Sequence, residues 1–128
     1  MNKEIIHTDK APAAVGPYSQ AVAMTGGKMV FLSGQIGFIP ETGALVTDSF
    51  EAQVKQAFAN MQAVMEAAGG GLNSIIKLTL YLTDLANFST VNDIMASVIP
   101  EPFPARSTVG VASLPKGASF EVEAIIAV

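Results

Sequence analysis

The chain has no cysteine and no tryptophan, and its 128 residues include one histidine, His7, and one arginine, Arg106. Without cysteine, disulfides, thiolate nucleophiles and cysteine-based zinc sites are excluded. A single histidine cannot form a histidine-rich metal site, so we expect a domain without a metal. Basic charge is also scarce, because the net charge is −4 and no lysines cluster. Nucleic-acid binding is therefore not expected.

Long apolar runs are missing as well. No stretch approaches the ~20 apolar residues that span a bilayer, and Met1-Asn2-Lys3-Glu4 has neither a signal-peptide core nor the arginines of a transit peptide. We therefore expect a cytoplasmic protein without a membrane partner. Half of the residues are apolar and only 14% are charged. This composition predicts one domain over residues 1–128 that buries part of its surface against copies of itself, as a homo-oligomer.

Apolar periodicity and turn residues predict eight elements. Asp48 to Glu51 reads as a capping box with Asp48 as the N-cap, and the first helix then runs to Gly69. Gly26-Gly27 is typical of a hairpin that joins the second and third strands. The predicted strands are 4–7, 20–25, 29–33, 76–82, 106–112 and 119–127, and the second helix covers 87–99. The order indicates an α+β fold, in which a mixed sheet carries two helices on one face.

Arg106 is the first candidate functional residue, because it lies where a proline-rich loop enters a strand. A guanidinium is permanently charged, and its planar fork of donors matches a carboxylate or a phosphate. The position suggests a specific anion clamp. A structural ion pair is the alternative.

Two glutamates of the last strand form the second candidate group. Glu121 and Glu123 alternate with apolar residues, so they should lie on the sheet face that the helices leave uncovered. A partly desolvated glutamate there could act as a general acid or base, or both glutamates could simply be solvated. Arg106 and Glu121 would converge if the last two strands were neighbours, and they could then also merely pair with each other.

Three further polar residues are weaker candidates. Tyr18 follows a turn and could project into a cleft or pack the turn. Ser33 ends a strand and could contact a ligand or close a turn. Asn92 lies between apolar helical positions and could cap or brace a loop.

Several motifs together resemble the RidA (YjgF/YER057c/UK114) family over nearly the whole chain. These motifs are Gly16-Pro17-Tyr18-Ser19-Gln20, Ser33-Gly34-Gln35-Ile36, Pro104-Ala105-Arg106-Ser107-Thr108-Val109, Leu114-Pro115-Lys116 and Phe120-Glu121-Val122-Glu123-Ala124. The resemblance implies a chorismate-mutase-like homotrimer with sites between subunits. It also implies a deaminase that hydrolyses reactive 2-imino acids, such as 2-iminobutanoate and 2-iminopropanoate, without metal or cofactor.

The resemblance further implies roles for single residues. Arg106 would bind the substrate carboxylate and Glu121 would activate water. The Thr108 backbone would orient that water, Tyr18 and Ser33 would line the cleft, and Asn92 would support it.

Met95, Gly110 and Gly37-Phe38 depart from the family pattern, which leaves the substrate range open. Two other functions stay open: a non-catalytic module that binds 2-keto or amino acids, and a chaperone-like or ribonuclease role.

Overall fold

The computed structural model describes residues 2–128 and contains six strands and two α-helices. Their order, three strands, helix, strand, helix and two strands, is the predicted one. The elements are β1 Asn2–Ile6, β2 Ala21–Thr25, β3 Met29–Gln35, α1 Phe50–Ala67, β4 Ile75–Leu82, α2 Phe88–Val98, β5 Ala105–Gly110 and β6 Phe120–Ala127. The first and fifth predicted strands end too late, since β1 stops before His7 and β5 stops at Gly110.

The strands form two sheets. Four strands pair in the order β3-β6-β4-β5, with β4 and β5 parallel and the other pairs antiparallel, so the main sheet is mixed as expected. The predicted hairpin of β2 with β3 is wrong, because β2 pairs with β1 in a separate two-stranded sheet. Gly26 and Gly27 do adopt positive φ angles of 73° and 76°. They redirect the chain from one sheet to the other, and β3 then finds its partner in β6.

Helix α1 begins one residue later than the sequence suggested. Ser49, not Asp48, is the N-cap, and its side chain accepts a hydrogen bond of 3.0 Å from the Ala52 amide. A serine hydroxyl at this position satisfies one of the unpaired amides of the first turn. The predicted capping box is therefore wrong, although the helix itself is confirmed.

The core lies between the helices and one face of the main sheet. On β4, Leu78, Leu80 and Leu82 are fully buried, and on β6 Phe120 and Val122 are as well. The helices contribute a larger buried set: Val54, Ala57, Phe58, Met61 and Met65 from α1, and Val91, Ile94 and Met95 from α2. Burial thus repeats every second residue in the strands and about every 3.6 residues in the helices, as predicted, and the two buried surfaces pack against each other. Val64 is an exception, because it is 40% exposed.

The opposite face of the sheet carries Glu121 and Glu123, as the alternation in β6 predicted. Tyr81 is paired with Glu121 across the strands, and Thr79 with Glu123. This face also exposes large apolar side chains, since Phe31 is 70% and Val109 40% exposed. Among the helices of residues 2–128, none has the length and apolar character needed to cross a membrane.

Candidate active site

Arg106 lies on the helix-facing side of β5, where it contacts α2. Its register partner on β4 is Leu78, which points into the core, so both side chains leave the sheet on the same side. The Arg106 Nη1 donates a 2.6 Å hydrogen bond to Asn92 Oδ1 and lies 3.6 Å from Met95 Sδ. Asn92 therefore holds the guanidinium in place, and its supporting role for a substrate stays a prediction.

Two aromatic rings enclose the guanidinium. Its central carbon lies 4.7 Å from the Tyr18 ring centroid and 5.4 Å from the Phe88 ring centroid, both within cation–π range. These contacts hold the guanidinium plane without using its hydrogen-bond donors. Among residues 2–128 the guanidinium donates only through Nη1, to Asn92 and Met95, so its Nε and Nη2 donors remain for a planar anion.

A cleft of about 240 Å³ opens at the guanidinium. Val15, Tyr18, Phe88, Arg106 and Thr108 line it. Ligand pockets usually measure about 300–1,000 Å³, so this cleft suits a small molecule.

The charge of Arg106 has no anionic partner in the described part of the chain. Within residues 2–128, the only basic and acidic side chains within 4.0 Å of each other are His7 and Asp9, at 3.0 Å. Burial lowers the pKa of Arg106 below its usual value, and the nearby Tyr18 phenol opposes this shift. The group still stays charged at neutral pH, because arginine titrates far above that range. A half-buried cation without an anion is poised to gain from binding one.

Thr108 also lines this cleft, two residues beyond Arg106 on the same side of β5. Its Oγ1 is buried and has no hydrogen-bond partner among residues 2–128. Buried hydroxyls are normally paired, so an unpaired one beside a cationic cleft marks a polar lining rather than a packing position.

Glu121 is not part of this cluster. Strand β4 lies between β5 and β6, so the last two strands are not neighbours and the condition for direct convergence fails. Arg106 points to the helix side and Glu121 to the uncovered side. Their partners on β4 are three residues apart and the two strands are two strand spacings apart, so the Cα atoms of Arg106 and Glu121 are separated by roughly 14 Å. The alternative of an Arg106–Glu121 ion pair is therefore wrong within one chain.

Gly34 and Glu121 meet at a bulge of β3, away from Arg106. The pairing of β3 with β6 shifts between Leu32 and Gln35, and Ser33 and Gly34 occupy this irregularity. The Glu121 carboxylate lies directly over Gly34, because a Cβ added there would be 1.8 Å from Glu121 Oε2. Ser33, which precedes Gly34 in the chain, is exposed. The sequence showed Gly34 only as a member of the Ser33-Gly34-Gln35-Ile36 motif, since only the tertiary pairing reveals that a side chain at Gly34 would displace the Glu121 carboxylate.

Tyr81 adds a phenol next to these carboxylates. Its hydroxyl donates to Glu123 Oε1 at 2.5 Å. That hydrogen bond raises the pKa of Tyr81, with smaller contributions from burial and from the charges of Glu123 and Glu121. Glu123 thus accepts a hydrogen bond from Tyr81, whereas Glu121 makes no side-chain hydrogen bond within residues 2–128. Of the two glutamates, Glu121 is the one free to act on a ligand.

Phe88 was not among the candidate residues predicted from the sequence, although a signal was present. Phe88, Asn92 and Met95 are spaced four and three residues apart, so they share one face of α2. This face presents an aromatic ring, an amide and a thioether to Arg106. Helical spacing would have grouped them once the helix had been placed beside β5.

Comparison of this chain with known proteins identifies its family. The model of the family described as "Endoribonuclease L-PSP", which is the YjgF/RidA family, matches residues 8–128. The chain belongs to this family.

Several relatives carry names that state an activity. A protein of Arabidopsis thaliana named "Reactive Intermediate Deaminase A, chloroplastic" is 50% identical over 125 residues, which are 98% of this chain and 66% of that protein. The chain thus spans about two thirds of its length. A "2-iminobutanoate/2-iminopropanoate deaminase" of Dermatophagoides farinae is 45% identical over 126 residues, covering 98% of this chain and 97% of the relative.

Solved structures share the fold. The crystal structure of RidA from the Antarctic bacterium Psychrobacter sp. PAMC 21119 superposes with a TM-score of 0.77 at 48% identity. The match covers 98% of this chain and 99% of that one. The α+β architecture with two helices and mixed sheets is therefore the family architecture.

Proposed function

We propose that this chain is an imine deaminase that hydrolyses small 2-imino acids to 2-keto acids and ammonia. One observation carries the proposal: the half-buried Arg106 guanidinium faces a small cleft and has no carboxylate partner within residues 2–128. A substrate carboxylate would supply the missing anion. The names of the Arabidopsis and Dermatophagoides relatives support the same reaction.

The chemistry requires little beyond positioning. Water adds to the electrophilic imine carbon and one of its protons passes to the imine nitrogen, which gives a carbinolamine. The hydroxyl proton of the carbinolamine then passes to the amine nitrogen, and ammonia leaves as the C–N bond breaks and the C=O bond forms. In our proposal Arg106 anchors the carboxylate and the Glu121 carboxylate takes the proton from water and returns it to nitrogen. The Thr108 backbone orients this water. Tyr18, Asn92 and Ser33 shape the surroundings.

Because Arg106 and Glu121 lie on opposite faces of the sheet, a site that contains both needs two copies of the chain. We infer a homotrimer in which the uncovered face of one subunit meets the Arg106 edge of the next. The exposed Phe31 and Val109 support this packing, because large apolar side chains on an open face favour self-association. A heterologous contact that closes on itself gives a ring with identical sites.

Keto-acid release from 2-iminopropanoate and 2-iminobutanoate generated in situ tests the activity. Arg106→Lys keeps the charge but loses the planar fork, so kcat/KM should fall about 10- to 100-fold. Glu121→Gln should lower kcat more than it raises KM. Lys55→Arg, an exchange of the same kind on the exposed side of α1, should change neither. An unchanged rate in Arg106→Lys would refute the carboxylate clamp.

Mixed assemblies test the shared site. Arg106→Ala and Glu121→Ala subunits are each expected to retain only a small residual activity, but co-refolding them in equal amounts places intact partners together. Random assembly into a ring should restore about a quarter of the wild-type activity. Restoration of none would mean that both residues act from one chain, and the two-chain site would be wrong.

A non-catalytic binding protein is the competing function. It would use Arg106 equally but would not need Glu121. Calorimetric binding of 2-ketobutyrate together with no acceleration of imine hydrolysis would favour it. A ribonuclease is disfavoured by the net charge of −4, which attracts no phosphate backbone.

A further inference from the structure

The segment between β1 and Tyr18 forms one wall of the Arg106 cleft, yet little of it is packed. Residues 7–13 are exposed, as are Val15 and Gly16. Val15 nevertheless lines the cleft, and its amide donates a long 3.4 Å hydrogen bond to the Tyr18 hydroxyl. Such a segment needs specific anchors to keep one conformation, because exposed loops gain little from burial.

Gln20 supplies these anchors through its side-chain amide. Its Oε1 accepts a 2.7 Å hydrogen bond from the Thr8 amide, and its Nε2 donates to the carbonyl oxygens of Thr8 at 3.1 Å and Pro12 at 2.7 Å. The acceptor and both donors are thus used. Glutamine is the side chain that provides all of them at this length.

The base of the same segment is fixed to the strand that carries Arg106. The Ser19 amide donates to the Pro104 carbonyl at 2.9 Å, the Ser19 hydroxyl donates to the Phe103 carbonyl, and Ser19 forms a parallel bridge with Ala105. Gln20 therefore follows a residue that is hydrogen-bonded to the segment entering β5, and its side chain reaches the exposed part of the wall. Its backbone leads directly into β2.

The wall approaches the guanidinium closely at Gly16. A Cβ at this position would lie 3.5 Å from Arg106 Nη2 and 3.6 Å from Asn92 Nδ2, and φ is +123°. A shift of the wall would therefore change the space at the Nη2 edge of Arg106. This edge is the one that Asn92 leaves free, because Asn92 accepts from Nη1.

We propose that Gln20 is a positioning residue for the substrate. It does not line the cleft, but its amide holds residues 8–12 and through them the wall that Val15 and Gly16 present to Arg106. The inference rests on the proposed function of the cleft, because it assigns a substrate role to the wall. Loss of the anchor should weaken substrate binding and leave the bond-making step largely intact.

Two substitutions test the anchor. Gln20→Leu removes all three hydrogen bonds at similar volume, and we expect KM to rise about tenfold with kcat changed less than about twofold. Gln20→Glu keeps the acceptor for the Thr8 amide but loses both donors, and it should raise KM while Thr8 stays protected. Gln62→Leu on α1 is the control, since Gln62 makes no side-chain hydrogen bond within residues 2–128. Thermal unfolding of each variant checks that the fold persists.

Amide hydrogen exchange gives a readout that a general loss of structure would not mimic. In Gln20→Leu, the Thr8 amide should exchange faster while the amides of β4 and β6 remain protected. Unchanged exchange at Thr8 would overturn the anchoring role. Faster exchange with an unchanged KM would show that the wall does not control binding. If wild type fails to hydrolyse the imines, the proposed function fails instead, and the exchange result still decides whether Gln20 holds the wall.

Discussion

Gly34→Ala should damage activity without damaging the fold. The added Cβ would lie 1.8 Å from Glu121 Oε2 and 2.8 Å from its carboxyl carbon, whereas ordinary contacts begin at 3.4 Å. The carboxylate oxygen must therefore move by about 1.6 Å, from 1.8 to 3.4 Å. Glu121 has a flexible, half-buried side chain, so it can move, but it cannot stay where it is.

The magnitude follows from the sensitivity of catalysis to position. Misplacing a reacting group by about 1 Å costs roughly 100-fold, so kcat/KM should fall by about 100-fold, or about 2.7 kcal/mol. Stability should hold or rise by about 0.4–1 kcal/mol, because alanine restricts the unfolded chain and Gly34 has no positive φ. Activity should thus fall without a loss of stability.

The assay compares imine hydrolysis and chemical denaturation for Gly34→Ala and a matched control. Gly71→Ala is suitable, because its extended backbone has φ −165° and the nearest atom to the new Cβ is Asn73 Oδ1 at 3.5 Å. A double-mutant cycle with Glu121→Ala isolates the mechanism. If Gly34→Ala reduces kcat/KM as much in the Glu121→Ala background as in wild type, the effect does not act through Glu121 and the reasoning is refuted.

Two further predictions concern stability. Ser49→Ala should lower the free energy of unfolding by about 1 kcal/mol, because α1 loses its N-cap, whereas Asp48→Ala should change it little in the same denaturation experiment; equal losses would contradict the assignment of the cap. The raised pKa of Tyr81 means that its bonded phenol stabilises the fold fully below about pH 10 and less as the pH rises through that raised pKa. The difference in unfolding free energy between wild type and Tyr81→Phe should therefore shrink at alkaline pH. An ultraviolet titration of Tyr18→Phe, which leaves Tyr81 as the one phenol, should show that Tyr81 ionises above the ordinary pKa of tyrosine. Ionisation at the ordinary pKa would contradict the bond to Glu123.

The sequence alone determined the elements and most of their faces. Alternation in β6 placed Glu121 and Glu123 opposite the core, and the period of α1 identified Phe58 and Met61 as buried, because a side chain's direction follows from local geometry. The motifs around Arg106 also identified the family. The sequence was less informative about where each element begins and ends. Ser49 and Asp48 are both residue types that cap helices well, and only the hydrogen bond from the Ala52 amide identifies Ser49 as the N-cap of α1.

Only the tertiary structure decided which strands pair and therefore what lies near Arg106. Strand pairing depends on contacts between residues far apart in the chain, so alternation in β5 could not reveal that β4 lies between it and β6. That pairing turned Arg106 toward Asn92 and Phe88 and left Glu121 on the other face, over Gly34. The sequence predicted Arg106 and Glu121 as functional residues, and the separation of the two sheet faces is the physical reason that the proposed site would need a second copy of the chain.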